Sequence, residues 1–261
     1  MNVNRLASAL PPSKIVGTPA IIAGVTTSTN DSLSQNTVVV LLAQIKTSSL
    51  WWGAGRYVLS RFVLAKTVGL RFSKMLGAGY DGGFGLRPSL TRQGLFLVFD
   101  QPSDARAFLE SSDVIKQYRE HCKELLTMTL QPYSVKGSWS GMTLAPNQPA
   151  PLADQAIATL TRASIRPSRV KSFWRLAPAT HDALFAAQGC DLAIGVGEAP
   201  FFRQATISLW QNTDAMNQYA QQGAHLTAIK AAFKKDYFSE SMFVRFIAQD
   251  LKGVYKGKTF G

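Results

Sequence analysis

The sequence predicts an α+β protein, two ferredoxin-like βαββαβ halves packed sheet to sheet as a pseudo-symmetric α+β barrel, and three observations predict it. Beyond residue 36 the order strand, helix, strand, strand, helix, strand occurs twice. Local similarity relates the copies: GLFLVFDQPSDARAFLES (94–111) aligns with ATISLWQNTDAMNQYAQQ (205–222), and TLQPYSVKGSWSG (129–141) with RFIAQDLKGVYKG (245–257). One such unit covers a single face of its sheet with two helices, so pairing the two bare faces buries both.

Residues 1–36 are rich in Ser, Thr, Asn and Pro with almost no charge, and read as a flexible or surface-draped extension. The apolar piece at 15–25 is short and broken by Gly and Pro, although Arg5 before it leaves a cleaved leader open. The first half spans 37–141. In it VVVLLAQIK (38–46) is a strand of β-branched and aliphatic residues, and SSLWWGAGRYVLSRFVLAK (48–66) is a helix with a Ser entry. A short strand then leads into a Gly-rich loop at 77–85, residues 94–100 form a strand, residues 102–125 a helix, and the half closes on LLTMTLQPYSVKGSW. A Pro-rich linker at 142–156 joins it to the second half, 157–261. There IATLTRASIRP is strand, RVKSFWRLAPATHDALFAA helix, and CDLAIGVGEAP and ATISLWQN strands. Residues 212–235 follow as a capped helix and a second, Gly-broken helix, and MFVRFIAQDLKGVYKG closes the half.

With 261 residues, 46% of them hydrophobic, the chain has ample material for a core. No stretch reaches the roughly 20 uninterrupted apolar residues of a membrane-spanning helix. The charge of +12 would suit an anionic partner, but the basic residues are scattered and carry no nucleic-acid recognition pattern, so no nucleic acid is expected. Cys122 and Cys190 lie far apart, outside any metal spacing, and read as buried thiols in a reducing compartment.

Chemistry has few places to sit. His121 reads as a solvated helix end and His181 as part of a capped helical turn, whereas His225 has apolar neighbours at helical spacing, Leu226, Ile229 and Phe233. In MFVRFIAQ, alternation puts Phe243, Arg245 and Ile247 on one face and Met242, Val244, Phe246 and Ala248 on the other. A mid-strand arginine among apolar residues is costly unless paired, so Arg245 meets either a ligand or a carboxylate such as Glu198 or Asp191. Arg162, Ser164 and Arg166 share a strand face suited to a sheet edge, and Glu198, Arg203 and Gln204 flank a hairpin turn. No nucleophile elbow or catalytic carboxylate pair is present, and the glycines at 77–85 lack a dinucleotide context. Haem suits the residue types: an imidazole can hold iron, an arginine can polarise bound dioxygen or an anion, and apolar walls exclude water. Trp51, Trp52, Phe173 and Trp174 are expected to fill the core.

The segments SRFVLAKTVGLRFSKMLGAG, GGFGLRP, SVKGSWSG, LTRASIRP, FWRLAPA, IGVGEAPFFRQATISLW and GAHLTAIKAAFKKDYFSESMFVRF, in this order, resemble the spheroidene monooxygenase family of acyclic carotenoid ketolases. The resemblance covers most of the chain beyond the N-terminal extension. It implies a dimeric-type α+β barrel holding haem b, and a haem-dependent monooxygenase that oxidises a long apolar substrate, a carotenoid, with dioxygen and electrons from a donor such as ferredoxin. His225 then falls on the family's histidine as candidate iron ligand and Arg245 on its strand arginine as candidate catalytic group; Arg162, Arg166, Glu198 and Gln204 match positions without an assigned role. A haem-dependent dehydratase or peroxidase-like enzyme of the same fold, or a non-enzymatic haem or hydrophobic-ligand binder, is the alternative. A cytoplasmic protein is expected, with room for peripheral contact to the inner membrane and for a homo-oligomer through the remaining sheet edges.

Overall fold

The computed structural model describes residues 35–83, 87–175, 177–221 and 236–261. The first half supplies β1 (Thr37–Ile45), α1 (Leu50–Leu64), β2 (Leu70–Gly79), β3 (Pro88–Phe99), α2 (Pro102–Ser111), α3 (Asp113–His121) and β4 (Cys122–Gly137). From the second come β5 (Ile157–Ile165), α4 (Val170–Trp174), α5 (Ala177–Phe185), β6 (Cys190–Ala199), β7 (Arg203–Trp210), α6 (Thr213–Ala220), β8 (Phe238–Tyr255) and β9 (Lys258–Phe260). The strands run β4-β1-β3-β2-β6-β7-β5-β8-β9, and pairing of β4 with β8 closes the first eight into an antiparallel barrel.

The expected barrel is therefore present, and its halves share strand edges as well as a core. Bare faces of both halves point inward, where Val38, Val40, Leu42, Phe96, Val98, Ala158, Leu160, Ile207, Val244 and Phe246 form one continuous apolar interior. Period-two alternation sends the intervening residues outward under the helices.

Several elements differ from the sequence expectation for local reasons. Residues 102–125 form two helices, because the Ser112 side chain accepts from Ile115 N at 3.3 Å and caps α3 afresh. Cys122 already belongs to β4, which begins three residues earlier than the helix was expected to end. The helix expected over 169–187 is divided into α4 and α5, and Pro178, which lacks an N–H and cannot continue a preceding helix, sits at the second position of α5. Gly77 and Gly79 lie in β2, so only the later part of that glycine-rich stretch turns.

The two seams between halves are unequal. Among the described residues β2 meets β6 through Gly77↔Gly197 and Ala78↔Val196, whereas β4 and β8 pair from Leu126↔Gly253 to Gly137↔Met242. Gly137 and Gly253 hold equivalent places in this long seam, with φ of 83° and 120°. A Cβ on either would lie 2.0 Å from a carbonyl oxygen, of Ser241 and Leu125 respectively, so only glycine fits.

A pair of carboxylates ties the seam at its ends. Glu240 on β8 accepts from Gly141 N at 3.2 Å and Ser138 Oγ at 3.3 Å in the turn after β4, and pairs with Arg162 Nη1. Glu124 on β4 accepts from Lys256 N at 2.9 Å and Gly257 N at 3.0 Å in the turn after β8, and pairs with Arg92. Trp139 and Tyr255, both fully buried, plug the barrel beside Arg162 and Arg92, at 5.4 and 4.9 Å from ring centroid to guanidinium.

Arg162 is 2% exposed and binds Glu198 at 3.0 Å; Glu198 also takes Trp139 Nε1 and Lys74 Nζ, each at 2.8 Å. Instead of marking the expected sheet edge, Arg162 is thus part of a buried ion network. Burial alone would raise the Glu198 pKa, yet the donors from Lys74, Trp139 and Arg162 hold it below the usual glutamate range. Glu240 is likewise lowered, against desolvation, by Gly141 N and Arg162. Since the folded pKa is depressed, the stabilisation is complete above the unfolded value of about 4.3 and is lost as pH falls through the lower folded values. Arg162→Ala, which takes the shared guanidinium from Glu240 and leaves Glu198 only Lys74 as its cation, is expected to cost about 3 kcal/mol in urea unfolding at neutral pH. Its deficit relative to the parent should shrink below about pH 4; a deficit that does not change with pH would mean that lost packing, not charge, sets the cost.

Candidate functional site

The outer sheet faces of the two halves are built from equivalent positions and filled differently. In the first half Val39, Leu41, Leu95, Leu97 and Phe99 lie completely buried against α1, α2 and α3 with Phe108, Ile115 and Tyr118. Strand registers match Val39↔Leu97 to Thr159↔Ser208, and Leu41↔Leu95 to Thr161↔Thr206. The second half thus carries small hydroxyl residues where the first carries aliphatic ones, and Gly195 where Met75 stands. Burial follows the substitution: Thr161 is exposed and Thr159 and Thr206 are half-buried, whereas Leu41, Val39 and Leu95 are inaccessible. The second face is open in the middle of its sheet.

Its polar groups are mostly satisfied from within. Thr159 Oγ1 and Ser208 Oγ share a hydrogen bond of 2.7 Å, and Trp210 Nε1 donates to Ser208 Oγ at 2.9 Å. Trp210 packs with Ile157, Leu184, Ala193 and Met216, and Tyr219 lies against its ring at 5.3 Å between centroids.

Arg245 lies on this face in the row formed with Thr159 and Ser208, opposite Ser134 of β4 on its other side. The alternation is as expected: Met242, Val244 and Phe246 enter the barrel core, while Phe243 and Arg245 are half-buried on the outer side. Neither carboxylate considered as its partner reaches it, since Glu198 is engaged by Arg162, Lys74 and Trp139, and Asp191 binds Lys258 at 2.7 Å. Among the described residues Arg245 has no salt bridge. Its charge faces the Tyr133 hydroxyl, which burial pushes above the usual tyrosine pKa while Arg245 and Thr213 pull it down. Neither approach reaches hydrogen-bond geometry, and among the described residues Tyr133 Oη and Thr213 Oγ1 are buried without a partner. A half-buried cation beside two hydroxyls without a partner among the described residues is an arrangement that can receive a polar or anionic group.

His225 lies outside the described residues, in the segment 222–235 that joins α6 to β8. His121 is not a solvated helix end: its ring stacks on Trp52 at 4.4 Å and Nδ1 meets Ser49 Oγ at 3.0 Å, a structural role. His181 lies within α5 and not at its start. Arg166 pairs with Asp236 at 3.2 Å at the surface, and Gln204 Nε2 donates to Ala199 O at 3.4 Å in the β6–β7 hairpin. Of the aromatic set expected in the core, only Trp52 packs against a core cluster; Phe173 and Trp174 are half-buried outside the core clusters, and Trp51 is 92% exposed because its helix turns that face outward. Cys190 is half-buried, and burial pushes its thiol up to about 11, which keeps it protonated and inert. Among the described residues no three of His, Cys, Asp and Glu converge on a metal site.

Tyr133, Thr213 and the Thr/Ser stripe were missed from sequence. A signal existed: in the aligned repeats, Leu95 and Leu97 correspond to Thr206 and Ser208, a change of polarity confined to one strand face.

A closed antiparallel barrel of two ferredoxin-like halves, filled under one helix layer and opened around an arginine under the other, defines the class of protein. Its likeness among solved structures agrees: a crystal structure of aldoxime dehydratase superposes with a TM-score of 0.56 at 11% identity, covering 84% of this chain and 83% of that one. Another aldoxime dehydratase, solved with butyraldoxime, gives 0.55 at 10% identity over 84% and 81%. At those identities the likeness speaks to fold alone. Sequence relatives are more specific. The chain is 48% identical over 224 residues to spheroidene monooxygenase of Rubrivivax gelatinosus, covering 86% of each. It is 34% identical to spheroidene monooxygenase of Rhodobacter capsulatus, over 81% of this chain and 89% of that one. No protein-family model matches the sequence. The chain belongs to the spheroidene monooxygenase family and is an oxidoreductase of the monooxygenase class.

Because no described residue meets hydrogen-bond geometry with the Tyr133 hydroxyl, Tyr133→Phe should leave the urea unfolding free energy unchanged or raised, within about 1 kcal/mol. A loss of about 2 kcal/mol or more would mean that the hydroxyl is hydrogen-bonded in solution.

Proposed function

We propose that this chain is a haem-dependent monooxygenase that oxidises a long apolar polyene of the carotenoid type with dioxygen. The observation that carries the reading is the open outer face of the second half, where, among the described residues, Arg245 has no salt bridge and two buried hydroxyls have no partner, while the first half is filled with aliphatic side chains. Family membership supports the reaction class, since the relatives are named for the oxidation of spheroidene. In this reading His225 holds the iron, and haem b supplies dioxygen binding and redox chemistry.

The residues of this chain contribute in distinct ways. Small side chains at Thr159, Thr206 and Gly195 leave room for a flat group against the sheet. The Thr159–Ser208–Trp210 hydrogen bonds satisfy that surface internally, so it need not be hydrated. Arg245 places a fixed positive charge on the wall, where it binds and orients dioxygen or an anion and stabilises negative charge that develops on oxygen. Phe243 shares the outer face of β8 with Arg245, and Ile247, 4% exposed, follows it. Together they supply apolar wall. Tyr133 is placed to accept from or donate to the same polar group once Arg245 is engaged. Monooxygenation sends one oxygen atom to substrate and the other to water, consuming two protons and two electrons from a donor such as ferredoxin.

Titration of the purified protein with hemin should give a Soret band at one haem per chain. His225→Ala should shift or abolish it, and Thr206→Leu, which restores the bulk of the first half, should weaken haem uptake. Arg245→Ala should keep the band and lower turnover by about 10²–10³-fold. No Soret band in the parent protein sinks the reading. Product formed equally with and without dioxygen assigns dehydratase-type chemistry, and no turnover by haem-loaded protein with a suitable donor assigns a binding role.

A further inference from the structure

The helix α1 is amphipathic in the wrong sense for a soluble surface. Its buried side consists of Gly53, Ser60 and Leu64, and a Cβ on Gly53 would lie 3.0 Å from Gln93 Nε2, so small residues let the helix sit close to the sheet. Large apolar side chains face outward: Trp51, Val58 and Phe62 are 92%, 63% and 57% exposed, with Tyr57, Leu59 and Val63 beside them. Helical spacing joins Trp51, Val58, Leu59 and Phe62 into one stripe.

The chain segment that carries this stripe has charge of a single sign. From Ser32 to Tyr80 the sequence holds Lys46, Arg56, Arg61, Lys66, Arg71 and Lys74, the last engaged by Glu198, and no Asp or Glu. Arg61 stacks over Phe62 at 4.5 Å, and with Arg71 and Ser73 it lines a shallow cleft at the C-terminal end of the helix. Aromatic and aliphatic side chains flanked by arginine and lysine are the composition of a helix that lies in the plane of a membrane interface, its apolar face among acyl chains and its cations at lipid phosphates.

We propose that α1 is a membrane-docking helix that seats the protein on an anionic lipid bilayer. Among the described residues no helix is long and apolar enough to cross a membrane, and α1, with 15 residues, would lie along the bilayer surface. The proposal deepens the reading of an apolar polyene substrate, which would be drawn from that bilayer, but its grounds are the helix face and its charge. Vesicle binding therefore stands or falls separately from haem binding.

The full chain is sedimented with vesicles of phosphatidylcholine alone and of phosphatidylcholine with phosphatidylglycerol. Binding should require phosphatidylglycerol and weaken with salt. The double variant Val58→Ser/Phe62→Ser should lower partitioning at least about tenfold, and Arg61→Glu at least about fivefold, without changing the circular dichroism spectrum or urea midpoint. Brominated lipid should quench the fluorescence difference between the parent and Trp51→Phe. Parent binding that ignores phosphatidylglycerol, undiminished binding of the double variant, or an unquenched Trp51 overturns the proposal. So does a two-chain mass in solution that falls to one chain with Phe62→Ser, which would assign the face to a second copy.

Discussion

The barrel depends on the antiparallel crossing of β4 and β8. Eight strands around a common core leave two edges to be joined, and an unjoined edge exposes a row of backbone donors and acceptors. The β2–β6 seam is short, so closure rests on the long one, where Gly137 and Gly253 let the strands approach more closely than any side chain allows. At its two ends Glu124 and Glu240 each reach into the turn that follows the opposite strand, and each brings an arginine. Buried charge is costly in isolation; here Arg162 shares Glu198 and Glu240, and Glu198 has three donors. The turn amides and the aromatic plugs Trp139 and Tyr255 are thereby fixed at the barrel mouths.

That closure frees the outer faces to diverge. Once the interior and one helix layer are packed, the remaining layer can lose aliphatic bulk, and the second half has done so at Thr159, Thr161, Thr206, Ser208 and Gly195. The cost is apolar burial given up on one face, and the gain is room beside Arg245, which the proposed function fills with a ligand. The same division appears on the exterior, where α1 turns Trp51 and Phe62 to the outside while Gly53 and Ser60 face the sheet.

Much of this was legible in the sequence because it depends on period and repetition. The two βαββαβ units, the inward face of β8 and the outward place of Arg245 follow from alternation and from the aligned segments at 94–111 and 205–222. What escaped depends on contacts between residues far apart in the chain. Arg162 read as a sheet edge because Glu198 and Glu240, its partners, lie on other strands. His121 read as solvated because Trp52, which covers it, is on α1. Ser112 broke a helix that periodicity alone would continue, through one side-chain bond to Ile115 N. Tyr133 reaches the site from the first half, across the seam, where no pattern within the second half could point to it.

The reciprocal carboxylates also constrain how the chain reaches this structure. Glu124 is matched to Lys256 N and Gly257 N, 132 and 133 residues later, and Ser138 to Glu240, 102 residues later. During synthesis the first half therefore emerges with its inward face bare and Glu124 held by Arg92 alone until β8 and the turn after it are made. Long-range pairings of this kind slow folding, because loop-closure entropy is lost before the contacts that offset it can form. The interval before β8 arrives is when the apolar residues of β1 and β3 are most open to association with other chains, and the ribosome-bound half-barrel is the form of this protein that most needs a chaperone.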